Sequence, residues 1–395
     1  MDKTSGTFVH GDLKTVLYGT GSVSGIGAEL DARGASKAII VTGKTLGASP
    51  LLKKVRDALG DRCVAVFDGI AEHVQAPGVY ALIEEIQRTD ADALVAFGGG
   101  SPIDGAKAAL GCVLAGRDLL SETSANFYQA TAVEEVGRHL INIAVPTTLS
   151  AGEYTSGTAV TGSDGMKRAI IGHPLGPVVI INDPELTLET PDLLWASSGV
   201  KALDHAVEAL YSAHGDSFTD ALATDALRML VAHLPASLTA QGEEQLLHRG
   251  HAQTGAWLSN FAAVGTRYGL SHAVGHKLGS KFGIPHGVTS TIALPHAMRF
   301  MAKAAPDRFG RIADTLGVDR TLDAAARAAA SADAVAAFIA ALGVPTRVRD
   351  LDLGIKEEED LEVVVPALHE QVSLSGTIGR PVTVEEMSAV VHACW

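Results

Sequence analysis

The feature that most constrains this 395-residue chain is a change of hydrophobic period near its middle. Up to about residue 189, short apolar runs rich in β-branched residues alternate with stretches of helical spacing. Ala38–Thr42 (AIIVT), Val64–Phe67 (VAVF), Ala93–Phe97 (ALVAF) and Ile141–Val145 (INIAV) each stop at Gly, Asp or Pro. Between them, Leu51–Leu59 and Val79–Thr89 repeat apolar residues at helical intervals. Near-continuous apolar strands alternating with helices predict a parallel sheet covered on both faces. Beyond residue 190 the spacing is helical throughout. It predicts helices over Ser198–His214, Phe218–His233, Glu243–Phe261, Ser271–Phe282 and Pro285–Ala304. The Ala-rich stretch Leu322–Leu342 joins them, because Val335, Phe338, Ile339 and Leu342 share one helical face. The expected organisation is an α/β domain over residues 1–189 and an all-helical domain over 190–395. Chain length alone favours two cores.

Composition narrows the function classes. At 47% hydrophobic and 19% charged residues the chain has ample core material, which excludes a disordered protein. The net charge is −14 with no basic run, so nucleic acid and anionic membranes are not expected partners. Cys63, Cys112 and Cys394 are too far apart for a disulfide framework or a CxxC zinc pair. The opening MDKTSGTFVHGDLKTV carries no apolar signal core, and uninterrupted apolar runs fall short of the ~18 residues of a membrane span. The expected setting is the reducing cytoplasm.

Two loops in the first half carry chemistry. Gly98-Gly99-Gly100-Ser101 follows a buried strand and opens a helix. Glycines there let backbone N–H groups approach a pyrophosphate, and the helix N-terminus adds a positive dipole end. By itself a glycine triplet is weak evidence, with a tight turn its alternative, and for Gly19-Thr20-Gly21 a plain turn is the better reading. The hydroxyl-rich run Pro146–Thr155 also follows a strand. Two such loops at neighbouring strand ends point to a shared dinucleotide crevice. After strand Ala38–Thr42, where an acidic residue would bind a ribose 2′-hydroxyl, the chain has Gly43-Lys44. Use of NADPH alongside NADH is therefore expected, although Lys44 alone also suits a turn.

The second half concentrates histidine. Lys201 and His205 lie four apart on one helix face, and His272 and His276 repeat that spacing in SHAVGH. His286 follows in IPHG. His205, His272 and His286 are the candidate ligands should a divalent ion bind, since neutral imidazole suits zinc, iron and nickel. One turn before His205, where a carboxylate would complete such a set, stands Lys201. Asp204 is expected to point elsewhere, being about 100° around the helix from His205. Glu208 is in reach of the histidines, or of a neighbouring cation on its own helix.

The pieces GGGSPID, PTT…GEYT, INDPELT, GVKALDHAVEALY, SHAVGHKLG and IPHGVTSTIALPH together resemble the iron-containing alcohol dehydrogenase superfamily over nearly the whole chain. The resemblance implies the dehydroquinate synthase-like fold: a Rossmann-like α/β N-terminal domain, an all-helical C-terminal domain and a homodimer. It implies that Gly98, Gly99, Gly100 and Ser101 hold a pyrophosphate. Asp104, Thr147, Thr148 and Lys167 would line the rest of NAD(P)H. His205, His272 and His286 match metal-ligand positions, and His276 matches an active-site histidine that is not a ligand. Lys201 stands where the family has its metal-binding Asp, so no metal is expected. The short Thr147–Thr155 loop, DPELTL and VEALY are similar to the maleylacetate reductase branch.

The resulting expectation is a metal-independent NAD(P)H-dependent reductase converting maleylacetate to 3-oxoadipate, as in aromatic compound degradation. Lys201 would supply a cation to a substrate carboxylate or developing oxyanion. Arg267 is a second carboxylate candidate, with helix capping its alternative. Tyr154 is a candidate hydrogen-bond donor, with packing as its alternative. An alcohol or aldehyde dehydrogenase acting on another small oxo or hydroxy compound is the competing reading. A lyase or cyclase of the dehydroquinate synthase type, using NAD transiently, is a remoter one.

Overall fold

A computed structural model describes residues 13–122, 131–132, 139–163, 167–355 and 358–395. The chain forms two compact units, His10–Thr190 and a second built on Pro191–Trp395.

The first unit contains strands β1 (Thr15–Tyr18), β2 (Ala38–Val41), β3 (Cys63–Phe67), β4 (Ala93–Gly98), β5 (Thr131–Ala132), β6 (Ile141–Pro146), β7 (Gly157–Thr161), β8 (Lys167–Ile171) and β9 (Val179–Asn182). Six of them form a sheet of order β1-β9-β6-β4-β2-β3, with every pairing parallel. Its central strands are buried on both sides, which is why β2, β4 and β6 read as unbroken apolar runs. Ile39, Val41, Leu94 and Ala96 face one apolar core, and Ile40, Val95, Phe97 and Val145 face the other. Helices Pro50–Leu59, Ala76–Thr89 and Gly100–Ala115 contribute side chains to these cores. The small sheet β5-β8-β7 was not anticipated. Nor were β1 and β9, each only four residues long.

The second unit is helical. Helices Asp192–Tyr211, Ser217–Thr239, Gly242–Thr266, Leu270–Phe282, His286–Ala304 and Ala324–Ala341 correspond to the anticipated ones, with shifted ends. The first begins six residues before Ser198 and ends at Tyr211, where Ser212 turns extended. Ser217–Thr239 runs past His233 and tolerates Pro235, with Leu234 and Ser237 buried on either side of it. Val365–Ser375 and Val384–Ala393 lie in the stretch read as helical, where no bounds were assigned to them. Among the described residues, Ala324–Ala341 is the one helix long and apolar enough in composition to cross a membrane. It carries Arg327 and Asp333, ion-paired with Asp314 and Arg299.

Candidate active site

In the α/β unit, β2, β4 and β6 are neighbours in parallel register, pairing Ala38 with Ala93 and Gly98 with Pro146. The segments that follow them, Gly43-Lys44, Gly98–Ser101 and Pro146–Ser150, therefore emerge at one end of the sheet. The strand order reverses there: β2 leads to β3 on one side, and β4 leads to β6 on the other. Such a switch point is where open α/β sheets bind ligands. Gly98 has φ 146°, and a Cβ on it would lie 2.9 Å from the Pro102 ring. Gly99 packs so closely on Thr148 that a Cβ would meet its methyl at 3.1 Å. Gly100 then opens the helix Gly100–Ala115, whose first N–H groups receive no side-chain cap from Gly99. Uncapped N–H groups at a helix start form an anion site.

The other predicted residues of this unit sit around that turn. The Thr147 N–H donates to the Gly98 carbonyl, and the Thr148 hydroxyl donates to Ser150 Oγ at 3.2 Å. Asp104 lies on the new helix, 3.7 Å from the ammonium of Lys107, and also feels the charge of Lys167. Lys167 opens β8 and is exposed, and Lys44 is exposed after β2. Lys107 was not singled out in the sequence. It is wholly buried and donates to the Gly152 and Gly157 carbonyls and the Thr155 hydroxyl, tying the hydroxyl-rich loop to the helix. Its only sequence signal is a lysine inside the apolar run IDGAKAALGC. Glu153 beside it is pushed up to about 7 by burial, against the pull of Lys107. Tyr154 packs against the sheet core and accepts a hydrogen bond from Asn182 at 2.7 Å. Burial and the Glu153 charge hold its phenol well above its ordinary value, so it is a poor acid.

In the helical unit the organising element is Asp192–Tyr211, buried at every residue from Trp195 onward. Lys201, Asp204, His205 and Glu208 follow one another along it at helical spacing. Glu208 accepts from the Gly269 N–H (2.7 Å), the Ser271 N–H (2.6 Å), the Tyr211 hydroxyl (3.1 Å) and His272 Nδ1 (2.7 Å). The alternative of a plain salt link along its own helix is thereby replaced by a backbone clamp. Gly269 permits it, since a Cβ there would fall 2.7 Å from Glu208 Oε1. The expectation that Asp204 points away is corrected. It accepts from Ser271 Oγ at 2.9 Å, and its Oδ2 lies 3.5 Å from His272 Nδ1. Helix Leu270–Phe282 brings His272 back onto this stripe, so neighbouring positions on Asp192–Tyr211 reach one network.

The rings form a stack. His272 lies against His205 at 4.8 Å between centroids and against Tyr268 at 4.7 Å, and His276 stacks on His286 at 5.1 Å. Tyr268 was not picked out from the sequence, where nothing distinguishes it from a core tyrosine. His286 is exposed at the start of its helix. Arg267 is exposed with φ 64°, and its guanidinium donates to the Ser375 carbonyl at 3.5 Å, the capping alternative.

Lys201 is 5% exposed. Burial lowers its ammonium to about 8, against the pull of Asp204 and Glu208. Asp204 is pushed up to about 8, first by burial, then by repulsion from Glu208. His205 and His272 are held well below the usual imidazole range by burial and by neighbouring positive charge, so both are neutral at pH 7.

These residues do not fit a divalent ion on the histidine set. Among the described residues, the one group of three ligand-type side chains with donor atoms within 4.8 Å of one another is Asp204, Glu208 and His272. There both Glu208 oxygens are already engaged, and the Lys201 charge acts on both carboxylates. A second positive charge at that spot would be repelled by several kcal/mol.

A family model described as iron-containing alcohol dehydrogenase matches residues 14–184, and its C-terminal counterpart matches 195–395. The lactaldehyde reductase of Escherichia coli (strain K12) is 31% identical over 392 residues, covering 97% of this chain and 98% of that protein. The maleylacetate reductase of Sphingobium indicum is 29% identical over 302 residues, 76% of this chain and 77% of that one. A crystal structure of 1,3-propanediol oxidoreductase superposes with a TM-score of 0.89 at 27% identity, over 99% of this chain and 100% of that chain.

Proposed function

We propose that this chain, which belongs to the iron-containing alcohol dehydrogenase family, is an NAD(P)H-dependent reductase of a small oxo-acid that works without a metal ion. That it is an oxidoreductase follows from the family and its named relatives. The observation carrying the finer reading is the buried Lys201 ammonium, set against Asp204 and Glu208 where its charge would oppose a divalent ion.

The uncapped helix start at Gly98–Ser101 and the hydroxyls of Thr147 and Thr148 would hold the dinucleotide, with Asp104, Lys167, Gly43 and Lys44 nearby. When bound, the nicotinamide supplies or accepts a hydride. The chain's own part is electrostatic and lies in the helical unit. Lys201 stabilises negative charge gathering on a substrate oxygen, as a metal would elsewhere. For maleylacetate, hydride addition to the enone carbon leaves an enolate. Lys201 holds the enolate oxygen, and a proton then adds at the neighbouring carbon to give 3-oxoadipate. The neutral histidines His205 and His272 leave Lys201 as the positive charge beside them.

A second reading, reduction of a hydroxy-aldehyde, is favoured by the near full-length similarity to lactaldehyde reductase. The deciding experiment follows NADH and NADPH oxidation by chelator-treated protein with maleylacetate, lactaldehyde and simple aldehydes. Turnover of maleylacetate without metal is expected. Activity that requires added Fe²⁺ or Zn²⁺ and is confined to aldehydes would overturn the proposal.

A further inference from the structure

The reaction proposed above makes no use of Lys107, although its side chain is fully buried. It stands two turns into the helix Gly100–Ala115, whose buried face is otherwise apolar. An apolar side chain would fill that place at lower cost, because burying an ammonium is expensive unless its donors are paired. Three acceptors meet the three N–H groups of the ammonium. They are the Gly152 carbonyl at 2.5 Å, Thr155 Oγ at 3.0 Å and the Gly157 carbonyl at 3.1 Å. Asp104, one turn earlier on the helix, lies 3.7 Å away and offsets the charge.

All three acceptors lie just beyond Ala151 in the hydroxyl-rich loop. Ala151 is buried with φ 60° and ψ 13°, a left-handed conformation that a residue with a Cβ keeps only where its surroundings hold it. Before Ala151 the loop lies on the glycine turn. Thr148 packs on Gly99, and Ser150 Oγ is 3.6 Å from where a Cβ on Gly100 would stand. After Ala151 the loop is fastened to the helix. The Thr155 hydroxyl adds a bond to the Gly152 carbonyl at 2.9 Å, and the Thr158 hydroxyl donates to the Asp104 carbonyl at 2.8 Å. One helix thus carries the uncapped N–H groups at its start and, two turns in, the clamp on the loop that borders them.

We propose that Lys107 is a positioning residue for the dinucleotide. By clamping Gly152, Thr155 and Gly157 it keeps the turn at Ala151 closed and holds Thr148 and Ser150 against the glycine turn. This rests on the reading that Gly98–Ser101 bind the diphosphate of the cofactor. Lys107 is buried beneath the loop and acts through it. A loop already in its binding geometry loses less entropy when the ligand arrives, so the clamp contributes to affinity and not to hydride transfer.

The test is a fluorescence titration of the full-length protein with NADH, after melting curves have shown which variants are folded. Lys107→Met keeps an unbranched stem and removes the three donors, and its Kd for NADH should rise by about tenfold. In the turnover assay described above, KM for NADH should rise in step, while kcat at saturating NADH stays within about twofold. Thr155→Val keeps the ammonium but removes one of its acceptors, and should raise Kd by about threefold; it stands in if Lys107→Met does not fold. An unchanged Kd in the folded variants would overturn the proposal. So would a raised Kd in Lys107→Met alone, which would make the effect one of charge and not of loop position. A fall in kcat at unchanged KM would overturn it as well. A native protein that binds neither NADH nor NADPH would remove the reading of the glycine turn, and this proposal with it.

Discussion

Replacing Lys201 with Asp is the sharpest perturbation of the helical site. In the native protein the ammonium acts on two buried carboxylates, Asp204 and Glu208. Glu208 is also held by two N–H groups, and Asp204 by Ser271, so both have partial compensation without the lysine. Lys201→Ala should therefore fold, with Asp204 taking up a proton. It should lose about 10²–10³ in kcat/KM, the scale of one removed oxyanion donor. Nucleotide affinity should be nearly unchanged, because Gly99, Ser101 and Thr148 belong to the other unit. Lys201→Asp goes further and sets a third carboxyl beside Asp204 and Glu208. That cluster needs a cation, so Zn²⁺ or Fe²⁺ should stabilise this variant and not the native chain. At a metal concentration of about 100 times Kd the gain is about 2.7 kcal/mol. Spread over the unfolding entropy of the helical unit, this raises its Tm by roughly 6 °C. Differential scanning fluorimetry with and without metal reads the shift, and NADH oxidation reads the rate. Native kinetics in Lys201→Ala together with no metal-dependent shift in Lys201→Asp would remove Lys201 from the active site.

Gly98→Ala should lower stability by about 1–3 kcal/mol and weaken NADH binding, since its φ of 146° and the 2.9 Å approach to Pro102 leave no room for a methyl. Gly100→Ala, with Ser150 at 3.6 Å, should keep stability, and comparing the two melts tests the turn geometry. Gly269→Ala should cost about 3 kcal/mol in a denaturant titration, because its methyl displaces the Glu208 carboxylate from buried N–H donors. His296 is lowered to about 4 by burial and by the charges of Arg299 and Arg347. The unfolded chain takes up this proton near pH 6.5 and the folded protein only near 4. Stability should then be intact above 6.5 and fall by roughly 2–3 kcal/mol as pH drops through that window; His296→Gln should flatten this part of the stability profile. A preference for NADH over NADPH above about a hundredfold, or ~2.7 kcal/mol, would contradict the reading of Gly43-Lys44.

Much of the fold was legible because burial leaves a period in the sequence. Strands β2, β4 and β6, covered on both faces, appear as unbroken apolar runs, and the helices of the second half as three- and four-residue repeats. Strand β1 escaped notice because it is short, lies at the sheet edge and is only half-buried. Helix Ser217–Thr239 continues beyond His233, through a proline that normally ends a helix. Here the buried Leu234 and Ser237 hold the last turns in place.

The chemistry divides in the same way. The sequence alone determined which loops follow strands, that Lys201 and His205 share a helix face, and that a lysine stands where the family has an aspartate. Local spacing sets all three. Only the tertiary structure decided that Asp204 and Glu208 join Lys201, that Gly269 and Ser271 clamp Glu208 from more than sixty residues away, and that a buried Lys107 ties down the hydroxyl-rich loop. Those contacts link segments distant in the chain. The pKa shifts of the groups involved come from desolvation and close charges, which exist only once the core has closed around them.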